Sequence, residues 1–318
     1  MDLEKVSSIL IIGMAGNLAK ITAKEIHQKY PHIKIIGVDS RKAPRNLSKL
    51  NVKFLQINYT RSHFERLFRE HKFDVVLFLG RYAHTGLNIL SMLTDNLDTK
   101  ISGIKNIFDL CMKFKVKRIV VLSSFHVYGA LPGNPHFLLE DTPLKADFKH
   151  SDMRDVVEMD KMAGLWVDKH KAVETVILRP CSIVGPNIKN AITKYLKTPY
   201  APVPMDFNPN FQFLHETDMA DIIVKAIDTL SPDVYNVAPD EYISIRDAMK
   251  IVGNSTLPVP LFLIEPTAKI LKKTLFKIPE YFISYLKFPC IIDNSNLHKA
   301  LGKLNFKYNI KETLKHLK

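Results

Sequence analysis

The sequence predicts a doubly wound α/β fold, a parallel sheet with helices on both faces, followed by a smaller discontinuous C-terminal domain. Three observations predict it. Short β-branched runs alternate with longer amphipathic ones through the first 180 residues, the pattern of βαβ units. The first of these runs opens through a glycine-containing turn straight into a helical pattern. From there on the texture changes, because prolines at 180, 186, 199, 202, 204 and 209 break the chain into loops.

Six strands are expected, at Ile9–Ile12, Ile33–Val38, Phe54–Ile57, Val75–Leu79, Arg118–Ser123 and Thr175–Leu178. Each is a continuous apolar run, as needed where helices cover both sheet faces. Between them, residues 18–28, 62–71, 101–114 and 159–169 repeat apolar side chains at intervals of three and four, which predicts helices. Beyond the prolines, 218–230, 244–252 and 265–276 read as helices too. No internal repeat or low-complexity segment is present. The expected domains are 1–180 and 181–318, with a segment at about 213–240 returning to the first.

Composition narrows the function classes. With 46% hydrophobic and 24% charged residues, the 318-residue chain can bury a substantial core and is too evenly mixed for disorder. Its net charge of +13 favours an anionic partner without choosing among nucleic acid, anionic lipid and phosphorylated small molecules. The cysteines, Cys111, Cys181 and Cys290, have no CxxC spacing, which fits a reduced, cytoplasmic setting. Acids at Asp2 and Glu4, and an apolar run of only a few residues after them, argue against a signal peptide. No window reaches the roughly 18 apolar residues of a spanning helix. No histidine pattern has metal-site spacing, so no metal is expected.

The turn after the first strand reads Gly13-Met14-Ala15-Gly16-Asn17-Leu18-Ala19. Glycines belong there because a pyrophosphate must approach the backbone N–H groups at a helix N-terminus without meeting a Cβ. Asp39 closes the second strand, where a carboxylate accepts hydrogen bonds from an adenosine ribose and repels a 2′-phosphate. Arg41 could welcome that phosphate, so NAD is favoured over NADP without NADP being excluded. Asn58, after the third strand, and Gly80, after the fourth, complete the expected cofactor set of Gly13, Ala15, Gly16, Asn17, Leu18, Asp39 and Arg41.

With Ser123-Ser124-Phe125-His126-Val127-Tyr128-Gly129 after the fifth strand, the chain resembles the extended short-chain dehydrogenase/reductases, specifically their NAD-dependent epimerase/dehydratase branch. Leu178-Arg179-Pro180, Val184-Gly185-Pro186, His215 to Ala220 and Tyr235-Asn236-Val237 extend the resemblance along nearly the whole length. It is most similar to a bacterial UDP-glucose 4-epimerase-like subgroup with an incomplete active-site tetrad. The resemblance implies a Rossmann fold, bound NAD, and transient oxidation of a substrate carbinol, often on a nucleotide-sugar.

It also implies a site built from a Ser or Thr, a tyrosine, a lysine four residues later, and a helper asparagine. Ser124 matches the first and Lys161 the lysine, and Lys161 also joins the cofactor set. Between Gly129 and Arg179 there is no tyrosine, and Val157 falls on the tyrosine position. Lys100 stands where the asparagine is expected, if Gly103 is the family glycine. Glu158, Asp155, His126 and Tyr82 are substitute acid–base groups. A shift of the count by a few residues would put Asp152 or Met153 at the site and still supply no phenol. Phe211 occupies the place of a phosphate-binding Arg before His215, leaving Lys189, Lys194, Lys197 and Arg246 as other cations.

Residues 263–318 hold 11 Lys and four acids, +7 of the total. The stretches Ile270–Lys277 and Tyr281–Phe288 are apolar and studded with lysine, the pattern of a basic amphipathic helix on an anionic membrane surface. Packing on the small domain is the competing reading. No nucleic-acid motif accompanies the charge, so nucleic acid is not an expected partner. The expected function is an epimerase/dehydratase-like reaction on a small molecule, with a homodimer left open. The alternatives are a catalytically inert NAD(P)-binding sensor, or a reductase/epimerase acting on a lipid-like substrate at the membrane surface.

Overall fold

A computed structural model describes residues 2–44, 47–80, 97–150, 153–264, 266 and 279–318. In chain order its strands are β1 (Ser8–Ile12), β2 (Lys34–Asp39), β3 (Val52–Gln56), β4 (Val75–Phe78), β5 (Arg118–Leu122), β6 (Glu174–Pro180), β7 (Ser182–Val184), β8 (Ala201–Pro204), β9 (Asn210–Phe211), β10 (Phe213–His215), β11 (Val234–Val237), β12 (Ile243–Ser244) and β13 (Thr256–Val259). Seven form one sheet in the order β11-β6-β5-β4-β1-β2-β3. The expected doubly wound parallel sheet is therefore present, and β11 adds an edge strand beyond the six expected.

The central strands form because nothing in them needs water. Ile9, Leu10, Ile11 and Ile12 are fully buried, as are Val75, Val76 and Leu77. Parallel pairing sets Ile12 opposite both Val38 and Phe78, so the C-terminal ends of β1, β2 and β4 lie side by side. Helix α1 (Asn17–Lys29) follows β1 and buries Leu18, Ala19, Ala23 and Ile26, while one face of the sheet packs on α2 (Arg61–Glu70) and two further helices. Phe64, Leu67 and Phe68 of α2 join Ile104, Ile107, Phe108 and Cys111 of the helix Leu97–Lys113 in a core cluster. That cluster also takes Met159, Ala163, Trp166 and Val167 from the helix Arg154–Lys169, an i, i+4, i+7, i+8 stripe. Thr60 caps α2, accepting the His63 N–H.

At the opposite end of the sheet, the Asp74 carboxylate accepts the Ser7 and Ser8 N–H groups and the Ser7 hydroxyl, and pairs with Lys117. Burial works against its charge, but these partners prevail and hold the group at about 2.

The chain falls into two compact units. The first contains residues 1–123, 155–178 and 220–235; the second contains 124–154, 179–219 and 236–318. This differs from a division at 180, since 124–154 group with the second unit and the returning segment is Ala220–Tyr235. In the second unit, β7 pairs with β10, β8 with β13 and β9 with β12. Three separate motifs meet there. The buried Tyr128 hydroxyl donates to Asn236 Oδ1 at 2.8 Å and accepts from Arg179 Nη1 at 2.8 Å, and Arg179 also donates to the Glu140 carbonyl. The second unit also buries the helix Glu280–Lys287, whose Phe282, Ile283, Tyr285 and Leu286 are all core residues. This corrects the expectation that Tyr281–Phe288 offers a lipid-facing surface. The other stretch, Ile270–Lys277, and nearly all of the expected helix 265–276, lie outside the described residues.

The three cysteines are free and buried, and burial pushes each thiol well above its ordinary range. Among the described residues, no helix is long and apolar enough to cross a membrane.

His215, at the end of β10, shares a 3.0 Å hydrogen bond with His316 beside the helix Ile310–Lys315 and packs on Tyr308. Burial, then the charges of His316 and Lys307, hold its imidazole down at about 4 against an ordinary 6.5. The unfolded chain takes up this proton before the folded one does. The associated stability is complete above about pH 6.5 and is lost as pH falls toward 4. The melting temperature should therefore drop between neutral pH and about 5, and His215→Gln should flatten that slope. An unchanged slope in the variant would contradict this.

Candidate functional site

The site begins with the turn between β1 and α1. Gly13 has φ +90°, a conformation costly for residues with a Cβ. An added Cβ there would lie 2.4 Å from the Gly80 backbone, so the chain after β1 and the chain after β4 approach as closely as backbones can. The Gly13 and Met14 N–H groups donate to the Val38 carbonyl, and Gly16 N–H closes the turn on the Gly13 carbonyl. The Met14 side chain is buried against Gly37, where a Cβ would meet its Cγ at 2.3 Å. Gly16 then caps α1 without a side-chain acceptor, and the first turn of α1 carries no acid. The helix start thus keeps its positive end uncompensated by side chains, the arrangement that suits an anion.

Asp39, at the end of β2, is 2% exposed and faces this turn. Its Oδ2 accepts the Ala15 N–H at 3.0 Å and Arg41 Nη2 at 2.9 Å; its Oδ1 accepts the Arg41 backbone N–H and Nε, both at 2.9 Å. Burial opposes ionisation, but the hydrogen bonds from Arg41 and Ala15 outweigh it and keep the carboxyl below its ordinary value. Gly13, Ala15, Gly80, Asp39 and Arg41 are therefore brought together, with Asn17 and Leu18 opening α1. Asn58 is exposed, one residue beyond Ile57, whose N–H donates to the Asp39 carbonyl.

On the helix Arg154–Lys169, Lys161 is half-exposed and donates to Glu158 Oε1 at 3.3 Å. Val157, one turn earlier on the same face, is fully buried. Asp160 is fully buried and bonds to the Ser123 hydroxyl. Sequence reasoning missed this pair. The available signal was that each member stands immediately before a motif residue, Ser123 before Ser124 and Asp160 before Lys161. In the second unit, Ser124 Oγ caps the short 3₁₀ turn Phe125–Tyr128 by accepting the His126 N–H at 3.3 Å. The His126 ring lies edge-on to Tyr281 and Tyr285, at 5.2 and 4.8 Å between centroids. These phenols come from a helix some 150 residues away and were not foreseen.

Of the other named residues, Lys100 and Gly103 fall on the helix Leu97–Lys113, and Asp155 is buried on the helix with Val157. Met153 is buried, and Phe211 is a core residue of β9. Tyr82 and Asp152 lie outside the described residues. Arg246 Nη2 donates to the backbone carbonyls of Pro204 and Met205. Among the described residues, no group of three or more His, Cys, Asp or Glu is placed to hold a metal ion.

The model of the NAD dependent epimerase/dehydratase family matches residues 9–238. The chain belongs to this family. An uncharacterized protein of Mycobacterium tuberculosis is 20% identical over 298 residues, 92% of this chain and 79% of its own. Among solved structures, a UDP-glucose 4-epimerase from Stenotrophomonas maltophila, with bound NAD and formylated UDP-arabinopyranose, superimposes with a TM-score of 0.76 at 17% identity. The match covers 98% of this chain and 96% of that one. A dTDP-glucose 4,6-dehydratase from Bacillus anthracis in complex with NAD gives 0.72 at 18% identity, covering 98% and 94%. These likenesses confirm the family fold, and in this member the glycine turn is closed on Gly80.

Two glycines separate backbone necessity from tolerance. Gly13→Ala should cost about 1–3 kcal/mol, read as a lower denaturant midpoint, because it combines positive φ with collision against Gly80. Gly164, inside the helix Arg154–Lys169 with open space around its Cβ position, should gain about 0.5–1 kcal/mol on Gly164→Ala. Equal effects at the two sites would contradict the reading of the turn.

Proposed function

We propose that this family member binds NAD at the β1–α1 turn and uses it for an epimerase- or dehydratase-like reaction on a nucleotide-sugar or similar small polyol. The observation that carries the reading is the cradle itself: a glycine turn in which a Cβ would strike Gly80, leading to a helix start with no side-chain cap or acid. The first N–H groups of α1 would hold the pyrophosphate, and Asp39 would accept the adenosine ribose hydroxyls. Its ionised state suits that role, and a 2′-phosphate would meet its charge, which supports NAD over NADP. When bound, the cofactor supplies hydride acceptance and return.

The chain's own residues supply the rest. Lys161 would orient the nicotinamide ribose, and Ser124 would hydrogen-bond the reacting hydroxyl. Val157 has no proton to move, so another group must take the proton of that hydroxyl. His126 is our choice, since its backbone N–H donates to the Ser124 hydroxyl, which keeps the two residues side by side, and its ring packs beside Tyr281. The first unit would then serve the cofactor and the second the substrate. A second reading, an NAD-binding protein without turnover, is favoured by the fully buried valine at the family tyrosine position.

Calorimetric titration with NAD tests the first step. Wild-type protein should bind, and Gly16→Leu should lose binding while keeping its circular dichroism spectrum, because a side chain there crowds the Gly13 carbonyl. Unchanged affinity would refute the assignment of the turn. Incubation with a panel of UDP- and dTDP-sugars, followed by nicotinamide absorbance and product analysis, separates the two readings. Turnover that His126→Asn reduces by about 10²-fold or more supports the first. Binding with silence across the panel supports the second.

A further inference from the structure

Asp39 is the acceptor that the cofactor reading gives to the adenosine ribose, and its acceptor positions are already filled. An ionised carboxylate offers about four lone-pair directions, two on each oxygen. Here Oδ1 accepts the Arg41 backbone N–H and Arg41 Nε, both at 2.9 Å, while Oδ2 accepts the Ala15 N–H at 3.0 Å and Arg41 Nη2 at 2.9 Å. Two of these donors are backbone groups, and the other two are the prongs of one guanidinium. A ribose hydroxyl can therefore reach Asp39 only by taking the place of a donor already there.

The donors differ in what holds them. Ala15 sits in the turn that the Gly13 and Met14 N–H groups tie to the Val38 carbonyl. The backbone leading to Arg41 is pinned to the end of β3, where the Ile57 N–H donates to the Asp39 carbonyl at 3.0 Å and Gln56 Nε2 donates to the Ser40 carbonyl at 3.1 Å. Neither backbone donor can leave without moving a strand end. The guanidinium can, because the Arg41 side chain is 65% exposed against 2% for Asp39, and it swings away by rotation about its own bonds. Water would rehydrate the released charge, which keeps an ion pair to so exposed an arginine weak. A ribose 2′,3′-diol also presents two donors side by side on one rigid frame, the requirement that a guanidinium fork meets at a carboxylate. Fork and diol compete for the same two lone-pair directions.

We propose that Arg41 is a built-in competitor for the ribose acceptor and thereby sets cofactor preference: NAD binds by exchanging its adenosine ribose diol for the Arg41 guanidinium on Asp39. The proposal rests on the NAD reading above. Arg41 then acts against affinity for NAD, the reverse of an arginine that grips the cofactor. A cofactor with a 2′-phosphate lacks one of the two hydroxyl donors and brings negative charge toward Asp39, so it gains nothing when the guanidinium is removed. Loss of the Arg41 side chain should therefore widen the preference for NAD over NADP.

Calorimetric titration of the full chain tests it. Wild-type protein should bind NAD, and Arg41→Ala should bind it about threefold to tenfold more tightly, since the fraction of acceptor open to the ribose rises when its occupant is removed. NADP should gain nothing from the same change. ADP, which carries the adenosine ribose, should follow NAD, and 2′-deoxy-ADP, which lacks one of the two hydroxyls, should gain less. Arg41→Met, which keeps the aliphatic stem without the donors, serves should Arg41→Ala fold poorly. Arg66→Ala, which removes an exposed cation paired with Glu70 on α2, should leave every affinity unchanged. NAD bound by the Arg41 variants only as tightly as by wild type, or more weakly, overturns the proposal and leaves the cofactor reading standing. An equal gain for NADP or for 2′-deoxy-ADP overturns it too, because the diol would then not be what replaces the guanidinium. If neither wild type nor variant binds NAD, the cofactor reading fails and the proposal falls with it.

Discussion

The close backbone approach of Gly13 to Gly80 is the constraint on which the rest of the first unit depends. It fixes how near the chain leaving β1 may pass to the chain leaving β4 at the C-terminal ends of the strands. Because β1 stands between β2 and β4 in the sheet, this close approach sits where the strand order reverses. The Asp39 carboxylate adds a second tie across the same place, joining the end of β2 to the turn through Ala15 N–H. Pre-organisation here comes from backbone geometry and one buried carboxylate. Few side chains are committed to holding the turn, and the α1 N-terminus remains available.

Local physics made most of the fold readable. Strands with residues such as Ile9–Ile12 and Val75–Leu77 must be buried on both faces, and the helices between them carry apolar stripes that can face only one way. Boundaries were less legible. Strand β3 begins at Val52 because it pairs Val52 with Ile35, although Lys53 interrupts the apolar run that the eye follows. Strand β11 is only four residues long and went unmarked, since its place at the sheet edge is set by pairing with a distant strand. Hydrophobicity alone also could not say whether Tyr281–Phe288 turns its apolar side inward or outward, and lysines at its margins, such as Lys287, serve either case.

The site divides along the same line. Residues tied to strand ends, Gly13, Gly16, Asp39 and Gly80, could be named because their roles follow from short-range geometry. The Ser123–Asp160 bond and the Tyr281–His126 contact join residues 37 and 155 positions apart, and no local pattern encodes them. Tyr128 illustrates the difference. Its place in the Ser-Ser-x-x-Val-Tyr-Gly stretch invites a chemical role, yet its hydroxyl is spent on Asn236 and Arg179, binding three motifs into one framework. In this region Tyr128 is structural cement.

The buried thiols give each unit its own chemical clock. Cys111 lies in the core of the first unit, while Cys181 and Cys290 lie in the second, and in the folded state all three are protonated and shielded. An alkylating reagent therefore reaches them only when the surrounding structure opens. Peptide mapping of the time course of labelling would rank the opening of the two units separately, without any probe being engineered into the chain.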